Sequence, residues 1–149
     1  MRYWHTFRDL ASLAEVAEFH ASAASLKAVA PPLIPMRVQH AAERMRHGDE
    51  MGCTMCMGPL PVHWEARVED VSPTGFRGRQ IHGPFKTWAH RHRSVRLVEG
   101  WTEMLDEVEA SLKQHGLWGL LALAMWPDLP SLLAFRVWTT WRLLEGDAV

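Results

Sequence analysis

The stretch IHGPFKTWAHRHRSVRLV, residues Ile81 to Val98, decides how the rest of the chain is read. It carries three of the nine histidines and one of the eight tryptophans. Gly83-Pro84 makes a turn, and a strand from Phe85 to Val98 follows. There the Trp-x-His-x-His spacing puts Trp88, His90 and His92 on one face, because strand side chains alternate with period two. One strand then aims an indole and two imidazoles into the same space.

The segments on either side read as further strands separated by turns. Upstream, Val62, Trp64, Ala66 and Val68 form an apolar face against His63, Glu65, Arg67 and Glu69, the pattern of a half-buried antiparallel strand. Ser72-Pro73-Thr74-Gly75 is a turn, after which Phe76, Gly78, Gln80 and His82 share a face opposite Arg77, Arg79 and Ile81. Earlier still, Ile34, Met36 and Val38 alternate with Pro35, Arg37 and Gln39, and Met51 to Met57 carries Met, Cys, Met and Met at its odd positions. Downstream of Glu99-Gly100, the even positions from Thr102 to Leu112 form a mostly apolar face, with Glu103, Glu107 and Glu109 opposite. Asp106 sits in the middle of that apolar face.

The two ends supply the helices. Residues 3–9 suit a first strand with aromatics on both faces, so its inward side is undecided. Ser12 and Glu15 have capping-box spacing, which predicts a helix from Leu13 to His20; a second, Ser22 to Val29, stops before Pro31-Pro32. Leu117 to Trp126 and Ser131 to Glu145 are helical in composition, and the Pro127-Asp128-Leu129-Pro130 interruption predicts a kink or two helices.

With 149 residues the chain fits one domain, 1–149, long enough to bury about 68–70% of its unfolded surface. A formal net charge of −1 exerts no global pull on nucleic acid or an anionic membrane. Cys53 and Cys56 form a solitary CxxC; on a strand, residues three apart face opposite ways, so two packed thiols are expected rather than a disulfide or a metal pair. The N-terminus lacks the apolar core of a secretory signal, and no stretch reaches ~18 apolar residues without a charge or proline. A cytoplasmic protein is expected. No nucleophile motif, phosphate loop or cofactor fingerprint appears, so no cofactor and no resident metal are expected.

The order strand, two short helices, six antiparallel strands and a long C-terminal helix resembles the START-like SRPBCC superfamily, the helix-grip proteins. Four spaced words carry the resemblance: Gly58-Pro59-Leu60-Pro61-Val62-His63-Trp64; Glu69-Asp70-Val71-Ser72-Pro73-Thr74-Gly75-Phe76; Gly83 to His92; and Asp106-Glu107-Val108-Glu109. They match the bacterial small ligand-binding subgroup best. The resemblance implies an α+β fold in which a curved antiparallel sheet of about seven strands grips a Pro-kinked C-terminal helix around an apolar cavity. On that fold the alternation turns Met55, Trp64, Phe76, Gln80, Trp88, His90, His92, Asp106 and Val108 inward. The helix contributes from around Leu120 to Phe135, and Trp126 to Pro130 form a mobile wall. The Cys- and Met-rich strand 51–57 is softer than a typical strand of this fold.

His90, His92 and Asp106 admit three readings. They fix the register of the sheet through a buried hydrogen bond, they hold the polar head of an apolar ligand such as a lipid, polyketide or isoprenoid, or they act as acid and base in a cyclisation or dehydration. The same residues have the types of a two-His-one-carboxylate metal face. A scaffold whose interior is filled by its own side chains is the non-ligand alternative.

Arg77, Arg79, Lys86, Arg91, Arg93 and Arg96 form a basic run whose simplest account is a solvated sheet face paired with nearby glutamates, so nucleic acid is not an expected partner. Among the C-terminal tryptophans, Trp138 and Trp141 are expected on the core face of the gripping helix. Any apolar remainder left exposed, Trp118 included, is a surface for a membrane or a second copy.

Overall fold

A computed structural model describes residues 1–32, 34–97, 101–114 and 116–145. The elements run β1 (Arg2–Asp9), α1 (Leu13–Ala21), α2 (Ala23–Ala28), β2 (Met36–His40), β3 (Glu50–Met57), β4 (Leu60–Ser72), β5 (Gly75–His82), β6 (Thr87–Arg96), β7 (Thr102–Ser111), α3 (Gly116–Met125) and α4 (Leu129–Glu145). The strands form a single antiparallel sheet in the order β1-β7-β6-β5-β4-β3-β2. Consecutive strands from β2 to β7 are neighbours, and β1 closes the far edge on β7. The chain therefore crosses from one edge to the other only through α1 and α2.

Local chemistry accounts for the element boundaries. Both halves of the Ser12–Glu15 capping box are made, and Ser22 ends α1 and caps α2. The inward side of β1 proves to be Tyr3, His5 and Phe7, half-buried, while Trp4, Thr6 and Arg8 face out. Their register explains the choice, since Tyr3 lies opposite Val108 and Phe7 opposite Met104, two fully buried residues of β7. The long β4 slips register at Glu65/Ala66 and again between Glu69 and Ser72, where Asp70 adopts φ 51°. Such bulges bend a strand and curve its sheet.

Several boundaries differ from the sequence reading. The focal strand begins at Thr87, not Phe85, because Phe85 leaves the ladder to plug the core at 1% exposure. Its expected end at Val98 and the turn at Glu99-Gly100 lie outside the described residues. The last helix starts at Leu129 rather than Ser131. Pro130 falls in its first turn, where a backbone N–H has no intrahelical acceptor to lose. Between α3 and α4 the chain bends by 52°.

The gripping helices bury less than expected. Leu117, Trp118, Leu120 and Leu123 of α3 are exposed, and only Ala122 is fully enclosed. Trp138 and Trp141 are also outside the core, at 49% and 46% exposure. The face of α4 that meets the sheet is occupied instead by Leu129, Leu133 and Thr140, and the Arg142 guanidinium lies 4.8 Å from the Trp138 ring centroid. No single helix among the described residues is long and apolar enough to cross a membrane; α3 and α4 reach that standard only as a bent pair.

Half of the basic run, Arg77, Arg79 and Arg91, has acidic partners. Glu69 binds Arg77 at 2.8 Å and Arg79 at 2.7 Å, and Asp70 lies 3.3 Å from Arg77 and 4.0 Å from Arg91. Cys53 is buried and Cys56 half-buried, both free thiols.

Candidate functional site

Between the concave sheet and α4 lies a cavity of about 170 Å³. Period-two alternation builds its walls. From β6 come Trp88, His90 and His92, from β4 Trp64 and Ala66, from β5 Phe76 and Gly78, and from β3 Met51, Cys53 and Met55. Helical periodicity builds the roof: Leu129, Leu132, Leu133 and Arg136 recur at the spacing of one helix face. Leu26, Met36 and Met45 close the side. Gly78, opposite His90 in the register, leaves that wall without a side chain, and Gly75 at φ 150° lets β5 pass close to the His92 carbonyl.

One end of the cavity is aromatic. The Phe85 and Trp88 rings lie 4.8 Å apart, Trp64 meets Trp88 edge-on at 5.3 Å, and Trp126 meets Trp88 edge-on at 6.4 Å. Edge-to-face and tilted pairs at these spacings are the favoured aromatic geometries.

The other end is polar. His92 and Asp106 are direct partners across the β6–β7 ladder, and His92 Nδ1 lies 2.5 Å from Asp106 Oδ1. His90 Nε2 reaches the same oxygen at 3.3 Å. These are close polar contacts whose angles fall outside good hydrogen-bond geometry. The two imidazoles are 4.0 Å apart, and a third, His20 from the end of α1, stacks on His92 at 5.4 Å. Burial followed by repulsion from His92 pulls His20 down to about 3 and His90 to about 4, so both are neutral near pH 7. Burial alone would push the Asp106 carboxyl up, but the adjoining imidazoles outweigh it and hold the group well below the usual carboxylate range. Burial pushes the Cys53 thiol up, which makes it a packing residue rather than a nucleophile.

Met55, Trp64, Phe76, Trp88, His90 and His92 thus come together at the cavity, while Asp106 lines a smaller space beside it with His20 and Arg136. Three expected lining residues lie elsewhere. Gln80 donates its Nε2 proton to the Phe85 carbonyl at 2.9 Å and ties the β5–β6 connection. Val108 is fully buried under Leu129 and Leu133, and Trp126 packs behind Trp88. On the helices the lining runs from Met125 to Arg136, rather than from Leu120 to Phe135.

Arg136 and His20 escaped the sequence reading. A helical projection of α4 would have found the first, since an arginine falling on the Leu129–Leu133 stripe is anomalous. No comparable pattern marks His20.

His90, His92 and Asp106 hold donor atoms within 4.8 Å of one another, and the residue types suit a divalent metal. Two ligands of one tetrahedral zinc ion stand roughly 3.3 Å apart. The His92–Asp106 contact is shorter than that, and the Arg136 cation nearby would repel a metal ion, so the arrangement fits an ion cage poorly.

No family model and no curated protein matches the sequence. Solved structures do match. A protein of Thermus thermophilus aligns over 100% of both chains with 12% identity and a TM-score of 0.74. A point mutant of Thalictrum norcoclaurine synthase, in complex with a transition state analogue, has 12% identity and a TM-score of 0.74 over 100% of this chain and 96% of its own. A Streptomyces aromatase/cyclase has 16% identity and a TM-score of 0.66 over 96% and 95%. At these identities the likeness is one of fold, and the chain has the START-like, polyketide cyclase-like helix-grip fold.

Proposed function

Taking the helix-grip fold as the premise, we propose that this protein binds and carries a small, largely apolar molecule in the cavity between sheet and α4. The observation that carries the reading is the composition of the walls: methionines, leucines and two tryptophans surround about 170 Å³, with polar groups gathered at one end. Apolar walls supply affinity and a few placed polar groups set orientation, which is the usual design of a small-molecule site. The methionines of β2 and β3 are flexible and polarisable, so the wall can adapt to an irregular ligand.

A second reading is favoured by one feature, the Asp106–His92 contact beside the cavity. A carboxylate that holds an imidazole in place is the arrangement a proton-transfer step in a cyclisation or dehydration needs. Carriage ranks first because the wall offers many apolar contacts and no nucleophile.

Native mass spectrometry of freshly purified protein, with an organic-solvent extract of the same sample, tests the reading. A stoichiometric excess mass that yields an apolar compound is expected. A bare polypeptide mass that no added apolar compound changes would count against carriage and leave turnover at His90, His92 and Asp106 as the reading to pursue.

A further inference from the structure

We propose that the ligand carries a single carboxylate and that Arg136 binds it through its guanidinium fork. This deepens the carrier reading and rests on it.

Arg136 is half-buried and lines the cavity. It borders the main cavity, the smaller space it shares with Asp106, and a third along α4 lined by Ile34, Met57 and Leu132. Its Nε is fully buried and has no acceptor among the described residues. No carboxylate among the described residues lies within 4.0 Å of it; Asp106, in the same polar end, turns its Oδ1 to His92 and His90 instead. An arginine cannot shed its proton to escape burial, and Asp106, whose charge supports the guanidinium, does not contact it. A fold that keeps one there, facing a cavity, is poised for an anion.

The surroundings limit which anion. His20 and His90 are held neutral near pH 7, so neither offers a second positive charge. Asp106 is ionised on the neighbouring strand and repels any further negative charge. A phosphate monoester would bring nearly two charges to one guanidinium, whereas a carboxylate brings one and matches the fork in plane and spacing. Beyond Arg136 the walls are Met36, Met55, Leu132 and the aromatic end, which fit an alkyl or aryl body.

The test uses the full chain, the neutral dye N-phenyl-1-naphthylamine as a cavity reporter, and two competitors with the same tail, octanoate and octanol. In the wild type, octanoate should displace the dye at a concentration about tenfold or more below octanol, the worth of a charge-assisted hydrogen bond. Arg136→Met should abolish that preference and leave octanol unchanged, while Arg136→Lys should retain part of it. Equal displacement by the two competitors in the wild type overturns the carboxylate assignment even if no variant folds. So does a preference that survives in a folded Arg136→Met protein. If dye, octanoate and octanol all fail to bind, the cavity reading itself falls, and the carboxylate with it.

Discussion

The two ends of the cavity are built by the same strand, yet they solve opposite problems. At the aromatic end, Phe85, Trp64, Trp88 and Trp126 close on one another, ring against ring, at 4.8 to 6.4 Å. Two residues further along β6 the polar end begins. There the Nε2 of His20, the Nε of Arg136 and the Oγ1 of Thr140 are buried with no hydrogen-bond partner among the described residues, and one carboxylate oxygen is shared by two imidazoles. A protein interior tolerates few such groups, because each costs free energy that packing elsewhere must offset. The difference suggests a division of labour: one end stabilises the fold, and the other keeps unsatisfied polarity available for something that binds.

The largest effect should therefore come from the aromatic end. Phe85 is almost wholly enclosed and touches Trp64, Trp88, Ala110 and Ala122. Phe85→Ala should destabilise the protein by about 3–5 kcal/mol, since the lost transfer free energy adds to a cavity the sheet cannot collapse into. Urea unfolding followed by tryptophan fluorescence would measure it. A loss below about 1 kcal/mol would show that this end is not the stabilising one.

Acid should act on the polar end. His20 and His90 are depressed to about 3 and 4, below the 6.5 of an unfolded chain. Between those values the unfolded state takes up protons that the folded state refuses, so stability is full above pH 6.5 and falls as the pH drops. His90 alone is worth on the order of 3 kcal/mol across that range, and the sum is smaller than the parts because the imidazoles are coupled. Asp106, depressed in the folded state, adds a further loss only once the pH falls below the ordinary carboxylate range. Thermal unfolding of wild type and His20→Phe from pH 8 to pH 4 should show a flatter profile for the variant. Parallel profiles would mean that His20 is not held neutral by its burial.

How legible this contrast was in the sequence depends on periodicity. Trp88, His90 and His92 share a face by alternation alone, and Asp106 stands out as an acid on an otherwise apolar strand face, so the cluster was readable once the strand order was known. Gln80 and Val108 obeyed the same alternation and still missed the cavity. Gln80 turns to the Phe85 carbonyl, and Val108 is covered by Leu129 and Leu133. Facing inward does not distinguish facing a void from facing a packed neighbour. The helices were less legible still. Trp138 and Trp141, three apart on α4, share a side that turned out to be the outer one, and the sequence does not say which stripe of so apolar a helix meets the sheet. A helical projection groups Arg136 with Leu129 and Leu133, but the packing is what identifies that stripe as the inner one.

The smallest effect is also the most discriminating. Thr140 is fully buried beside Arg136 and Asp106, and its hydroxyl has no partner among the described residues. If the polar end is dry and unsatisfied, Thr140→Val replaces an orphaned hydroxyl with a methyl of the same shape, and stability should rise by about 1 kcal/mol. If water fills the space among Thr140, His20 and Asp106, the hydroxyl is already hydrogen-bonded and the same substitution should lower stability by a similar amount. The sign, read from the shift of the urea midpoint, separates two versions of this end. A gain means that a ligand's carboxylate enters a site of bare polar groups. A loss means that it must displace ordered water, and the preference for an acid over an alcohol would then be correspondingly smaller.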